Sequence, residues 1–186
     1  MNKRVYIVHR WDGSPDSDWL PWAKSDLEGK GYVVHIPTMP HPEHPKIEEW
    51  VPYLAGQVKQ PDTETFFIGY SVGCQTVLRY LEQLESGIKV GGAVFVAGWF
   101  RLVNLSGPEE EAIAEPWLTA PIDDARVKQH TTNFAALFSS DDPWVPPDSQ
   151  QEFERRLGAK TIVLSNRSHF EGSKKLPEAV SLLQGL

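Results

Sequence analysis

The sequence predicts a three-layer α/β/α fold built on a mostly parallel six-stranded sheet, and three observations carry that prediction. Short β-branched and aromatic runs alternate with longer segments whose apolar residues recur at helical spacing. The short runs, such as Val5-Tyr6-Ile7-Val8 and Phe66-Phe67-Ile68, are apolar on both faces, as strands covered by helices on each side of a sheet must be. Parallel strands also need long crossovers, which the helical segments supply. The 186 residues read as one domain, 1–186, large enough to bury a core without staples.

The first strand is read at Arg4 to Val8 and ends at His9. After a loop rich in Asp, Ser, Gly and Pro, Asp18 reads as the N-cap of a helix carrying Trp19, Trp22, Ala23 and Leu27, which stops near Gly29 and Gly31. Strands at 32–36, 65–69 and 90–97 then alternate with helices at 47–58 and 72–84, and the Pro and His cluster at 37–45 is loop. From about residue 99 to 127 the pattern breaks into a polar, Pro-containing, lid-like excursion with weak helical spacing at 109–117. Alternation resumes with strands at 133–138 and 161–164 and helices at 149–157 and 176–183.

Composition excludes several function classes. Eighteen Lys and Arg against 25 Asp and Glu leave a net charge of -7, which disfavours nucleic acid and anionic membrane as partners. No window approaches the about 20 apolar residues of a membrane span, and Val5 to Val8 is too short for a signal-peptide core, so a cytoplasmic location is expected. Cys74 is the only cysteine, which removes an intramolecular disulfide and a cysteine-based zinc cluster. His41 and His44 sit in Pro40-His41-Pro42-Glu43-His44-Pro45 without further ligands, so no metal and no cofactor is expected.

Gly69-Tyr70-Ser71-Val72-Gly73 lies between an apolar strand and a helical pattern, the context of a nucleophile elbow. Such a turn is so sharp that side chains in place of the glycines would collide, leaving Ser71 projecting alone. The N-terminus of the following helix turns free N–H groups and its positive dipole end toward the hydroxyl. A serine needs a base, and the base an orienting carboxylate. Both follow in order, each just beyond a strand: Asp142 in Ser139-Ser140-Asp141-Asp142-Pro143, and His169 in Ser168-His169-Phe170. Asp141 is the alternative acid, but Asp142 is anchored to the stiff turn Asp142-Pro143-Trp144-Val145-Pro146 and is preferred. His9 reads as a support for the loop beneath the site, and Cys74 as a small packed residue. His35, His41, His44 and His130 read as surface or loop histidines.

These segments resemble the YdeN-like, retinoblastoma-binding-protein-like small serine hydrolases, a branch of the α/β-hydrolase superfamily. The resemblance covers essentially the whole chain and extends to Val5-Tyr6-Ile7-Val8-His9, Trp19 and Trp22, Met39-Pro40, Glu49-Trp50 and Val96-Ala97-Gly98-Trp99. It implies Ser71 as nucleophile, Asp142 as acid and His169 as base, on a hydrolase core trimmed of the first two strands of larger relatives. It also implies an oxyanion hole from the backbone N–H groups of Val72 and Trp11. The family usually carries His-Gly after the first strand, where this chain has His9-Arg10, and often a glycine where this chain has Ser168. Retinoblastoma binding by the mammalian relative is attached to an L-x-C-x-E motif. Cys74 is flanked here by Val72 and Thr76, so that partner is not expected.

The chemistry expected is acyl transfer from a small-molecule ester or amide, with Ser71 attacking the carbonyl and His169 taking its proton. Arg10, Trp99, Phe100, Trp117 and Trp144 are candidates for the substrate pocket, the aromatics reading equally as core and lid packing. A carboxylesterase is favoured. An amidase or aminopeptidase using the same residues, and a catalytically weak hydrolase-fold binding protein, are the alternatives. A dehalogenase or epoxide hydrolase would need aspartate where Ser71 stands.

Overall fold

A computed structural model describes residues 3–186. Six strands, β1 (Arg4–Val8), β2 (Val33–His35), β3 (Thr65–Tyr70), β4 (Gly92–Val96), β5 (Phe134–Ser139) and β6 (Lys160–Leu164), form one sheet in the order β2-β1-β3-β4-β5-β6. Every pairing is parallel, with Val8 opposite Gly69, Tyr70 opposite Val96 and Ser139 opposite Leu164. The three central strands β3, β4 and β5 are buried along their whole length, which accounts for their unbroken apolar runs.

Among the described residues seven helices complete the layers: α1 (Leu20–Gly29), α2 (Ile47–Gln57), α3 (Val72–Gln83), α4 (Pro108–Thr119), α5 (Asp124–His130), α6 (Ser149–Leu157) and α7 (Pro177–Gln184). The chain steps outward from β1 to β2 and then back past β1 to β3. With right-handed crossovers this reversal puts α1 on the opposite face from α2 and α3. Accordingly α1 packs on α7, while α2 packs on α3, α3 on α5 and α5 on α6. Helix α3 is buried from Val72 to Leu81. The β1/β3 reversal is also the crevice where loops leave the sheet in opposite directions, the position where such sheets bind ligands.

Two local expectations are corrected. Asp18 does not cap α1: Trp19 holds the N-cap position without a side-chain bond, and the Asp18 carboxylate accepts from Arg10 Nε and the Gly172 N–H instead. The weak helical spacing at 109–117 within the 99–127 excursion is α4, and the excursion leads into α5. Helix α5 is short and begins at a true cap, with Asp123 Oδ1 accepting from the N–H groups of Ala125 and Arg126. His130 is not a surface histidine. It is buried at the end of α5, and its Nδ1 pairs with the Ile88 carbonyl at 2.8 Å.

Helix α4 is moored at its C-terminal end. Buried Arg79 donates to the carbonyls of Trp117, Ala120 and Pro121, satisfying oxygens that the end of a helix leaves free. Trp117 packs edge-on against Trp50 and donates from Nε1 to the Pro45 carbonyl at 2.8 Å. No helix among the described residues is long and apolar enough to cross a membrane.

Candidate active site

Ser71 sits between the last residue of β3 and the first of α3 with φ 55° and ψ -119°, a strained conformation for a residue with a side chain. The two glycines answer different contacts. A Cβ on Gly69 would lie 2.7 Å from the Cys74 nitrogen, so this glycine lets the turn close. One on Gly73 would lie 2.2 Å from the Val8 carbonyl oxygen, so the second glycine lets α3 start against the end of β1. The Ser71 N–H donates to the Val96 carbonyl at 2.9 Å, fixing the elbow to the neighbouring strand. Ser71 Oγ accepts from Trp99 Nε1 at 3.4 Å, and the N–H of Val72 donates to no acceptor among the described residues.

Beyond β5, Asp142 is held by its own turn. Oδ1 accepts from the N–H groups of Trp144 and Val145, both at 3.0 Å, leaving Oδ2 for His169 Nδ1 at 2.7 Å. An ionised carboxylate only accepts, so His169 carries its proton on Nδ1 and leaves Nε2 as the basic nitrogen. Both side chains are almost fully buried. The His169 loop is tightly wound, with positive φ at Asn166, Ser168 and Phe170. The φ of 47° at Ser168 is left-handed, a conformation that glycine would adopt without strain. Tyr70 Oη donates to the His169 carbonyl at 2.8 Å, and Trp144 meets the imidazole edge-on. Asp141 is exposed. It binds Ser139 Oγ and the Ser168 N–H, which hold its carboxyl below the ordinary value and lace the two loops together.

His9 is wholly buried at the end of β1, and burial pushes its pKa below the ordinary value. Its Nε2 accepts from the Met39 N–H at 3.1 Å, so Nδ1 carries the hydrogen and donates to the Arg10 carbonyl at 2.9 Å. The Gly13 N–H reaches the same carbonyl at 3.1 Å. In a trans peptide the C=O and N–H point opposite ways, so pinning the Arg10 oxygen on one side turns the Trp11 N–H to the other. That N–H has no acceptor among the described residues.

A lowered His9 pKa means that the folded state refuses a proton the unfolded chain takes near 6.5. The stabilisation is complete above that pH and is lost as pH falls toward the depressed folded value, at up to about 1.4 kcal/mol per pH unit. Urea unfolding at about pH 7.5 and about pH 5.5 should therefore show a loss of stability in the wild type that is smaller in His9→Asn.

Ser71, Val72 and His169 line a cavity of about 440 Å³. Its apolar wall comes from Trp11, Trp99, Trp144, Leu102, Leu105 and Ile113, and its polar wall from Arg10, His44 and the carboxylates Asp12, Glu43, Glu109, Glu110 and Glu171. Two candidates lie elsewhere. Phe100 does not line the cavity, packs at a tilt against Phe153 and lies under the Arg156 guanidinium. Trp117 is spent mooring α4. His44, read from the sequence as a loop histidine, faces the cavity with Nε2 3.6 Å from Glu109. The signal for Ile113 was present in the helical spacing of Glu109, Ile113 and Trp117; for His44 and Glu43 there was none. Cys74 is buried, with its thiol pushed up by burial and directed at the Val96 carbonyl. Among the described residues no group of three or more His, Cys, Asp or Glu is placed to hold a metal ion.

The family model described as "Serine hydrolase" matches residues 5–184. The YdeN protein of Bacillus subtilis (strain 168) is 28% identical over 186 residues, covering 98% of this chain and 95% of the relative. The crystal structure of that gene product superposes with a TM-score of 0.89 at 25% identity, over 99% of this chain and 98% of the other. The serine hydrolase RBBP9 of Rattus norvegicus is 27% identical over 157 residues, 84% of this chain and 80% of the relative. Est1E of Butyrivibrio proteoclasticus, in a structure with ferulic acid bound, shares the fold with a TM-score of 0.74 at 13% identity, over 98% and 87% of the two chains. With its six parallel strands, elbow serine and nearly full-length match, the chain belongs to the serine hydrolase family, in its YdeN-like branch of the α/β hydrolases.

Proposed function

We propose that the protein cleaves small carboxylic esters in two steps through an acyl-enzyme at Ser71. His169 Nε2 takes the hydroxyl proton as Oγ attacks the carbonyl, then delivers it to the departing alcohol. Water, deprotonated by the same nitrogen, releases the acid. Asp142 orients the imidazole and stabilises its protonated form, and the N–H groups of Val72 and Trp11 receive the oxyanion. The observation that carries the reading is the buried 2.7 Å Asp142–His169 bond in the wall of the cavity that also holds the elbow serine. Ser71 Oγ accepts from Trp99 Nε1, and the mechanism has its hydroxyl turn to His169 Nε2 as the carbonyl is attacked.

The cavity is lined on one side by indoles and leucines and roofed by α4, which is moored at one end; both features suit a short acyl group rather than a long lipid chain. One observation favours a second reading, an amidase or aminopeptidase acting through the same residues: the carboxylates Glu43, Glu109 and Glu110 at the cavity wall would attract a substrate ammonium group. A panel of p-nitrophenyl esters of increasing chain length beside aminoacyl p-nitroanilides separates the two. Higher kcat/KM on acetyl to butyryl esters than on any anilide is the expected result; the reverse order would establish the amidase reading.

A further inference from the structure

Arg10 lies two residues beyond the end of β1, and its side chain is 18% exposed. Nε donates to Asp18 Oδ2 at 2.8 Å, Nη1 donates to the Trp11 carbonyl at 3.0 Å, and Nη1 lies 3.2 Å from Glu171 Oε1. Asp18 is only 7% exposed and uses its other oxygen to accept from the Gly172 N–H at 2.7 Å. A continuous path therefore runs from the Trp11–Asp12 peptide, the one that follows the Trp11 N–H, through Arg10 and Asp18, to the loop two and three residues beyond His169. Asp18 itself has φ 56°, a left-handed conformation that these contacts hold in place. Burial opposes the Arg10 charge, but the bond to Asp18 and the charges of Asp18 and Glu171 outweigh it and raise the pKa. Arg10 thus has its charge matched by two carboxylates and is not a free cation awaiting an anionic substrate.

We propose that Arg10 is a positioning residue that fastens the Trp11 loop to the His169 loop, keeping the oxyanion donor and the base at a fixed separation while charge develops. The inference rests on the hydrolase mechanism above. The Trp11 N–H belongs to the Arg10–Trp11 peptide, and this peptide and the next are both pinned. The Arg10 oxygen is held by His9 and Gly13, while the Trp11 oxygen is held by the Arg10 guanidinium and the next N–H, of Asp12, by the Pro42 carbonyl. Without the guanidinium the second peptide loses its oxygen tether, and the loop that carries the Trp11 N–H is no longer fastened to the His169 loop. The value of such a donor lies in preorganisation, so its loss falls on the transition state rather than on substrate binding.

Arg10→Met keeps the aliphatic stem and removes the guanidinium. The expected result is a fall in kcat of about tenfold or more, short of the 10²–10³ for complete loss of a donor, with KM changed less than about twofold. Asp18→Asn should act in the same direction, and the double variant should be no slower than Arg10→Met, because both cut one path. Amide exchange by mass spectrometry should become faster both at residues 10–13 and at 170–173 in either variant. Unchanged exchange at 170–173, unchanged kcat, additive losses, or a rise in KM alone would each overturn the proposal. If Arg10→Met does not fold, Asp18→Asn is read by the same criteria. Absence of Ser71-dependent turnover in the wild type would defeat the hydrolase reading separately, and the exchange data would still decide whether Arg10 joins the two loops.

Discussion

Ser71→Ala is expected to lower kcat on ester substrates by on the order of 10⁶, with KM and the melting temperature nearly unchanged. The nucleophile and base act as one unit, so His169→Ala should cost about as much and the double variant little more, whereas Asp142→Asn should cost about 10⁴ through a misplaced imidazole proton. The fold should tolerate the serine change because the hydroxyl has a single, long hydrogen bond, to Trp99, and the backbone bonds of the elbow are made by main-chain atoms. Steady-state kinetics beside thermal melts check both halves. A loss smaller than tenfold would mean that another group attacks the carbonyl.

Gly73→Ala should destabilise the protein by about 3 kcal/mol or more, at or beyond the upper end for overpacked sites, which lowers Tm by roughly 6–12 °C for a chain of this size. The added methyl carbon would meet the Val8 and His9 carbonyl oxygens at 2.2 and 2.9 Å. Both are backbone atoms at the end of a buried strand, so no side chain can swing aside to make room. Relief requires α3 to move away from β1, which carries Ser71 and the Val72 N–H out of line with the Trp11 loop. Activity should therefore fall further than stability alone explains. Gly56→Ala is the control: in α2 an added Cβ meets nothing within 4 Å, and the change should be stabilising, by about 0.5–1 kcal/mol. Differential scanning calorimetry of the two variants reads the contrast. Equal melting temperatures would show that the elbow has slack the close contacts deny.

The sheet was legible in the sequence because its central strands are buried on both faces and so declare themselves as unbroken apolar runs, as in Phe134 to Phe138. The edge strand β2 was overestimated by a residue at each end, since Tyr32 and Ile36 belong to the run by composition but have no paired partner on β1. The elbow, Asp142 and His169 were legible for a related reason: each follows a strand, and parallel topology gathers strand ends on one edge. The pocket was much less legible. Trp99 and Phe100 are adjacent in sequence and leave β4 together, yet one reaches Ser71 and the other packs on Phe153. Which way each turns depends on α6, more than 40 positions onward. Asp18 before a helical pattern has the sequence form of a cap, and only Arg10 and Gly172, the latter from the far end of the chain, reveal its ion-pair role. The carboxylates around the cavity come from three separated loops and α4, so no local pattern announces them.

Labelling with a fluorophosphonate, followed by mass-spectrometric location of the adduct, tests the proposed nucleophile most directly, because the reagent reports an activated serine without needing the natural substrate. A single adduct on Ser71 in the wild type, absent in Ser71→Ala and greatly slowed in His169→Ala, is the predicted result. A folded wild-type protein that takes no label, or takes it at another residue, would contradict the assignment of Ser71 and His169.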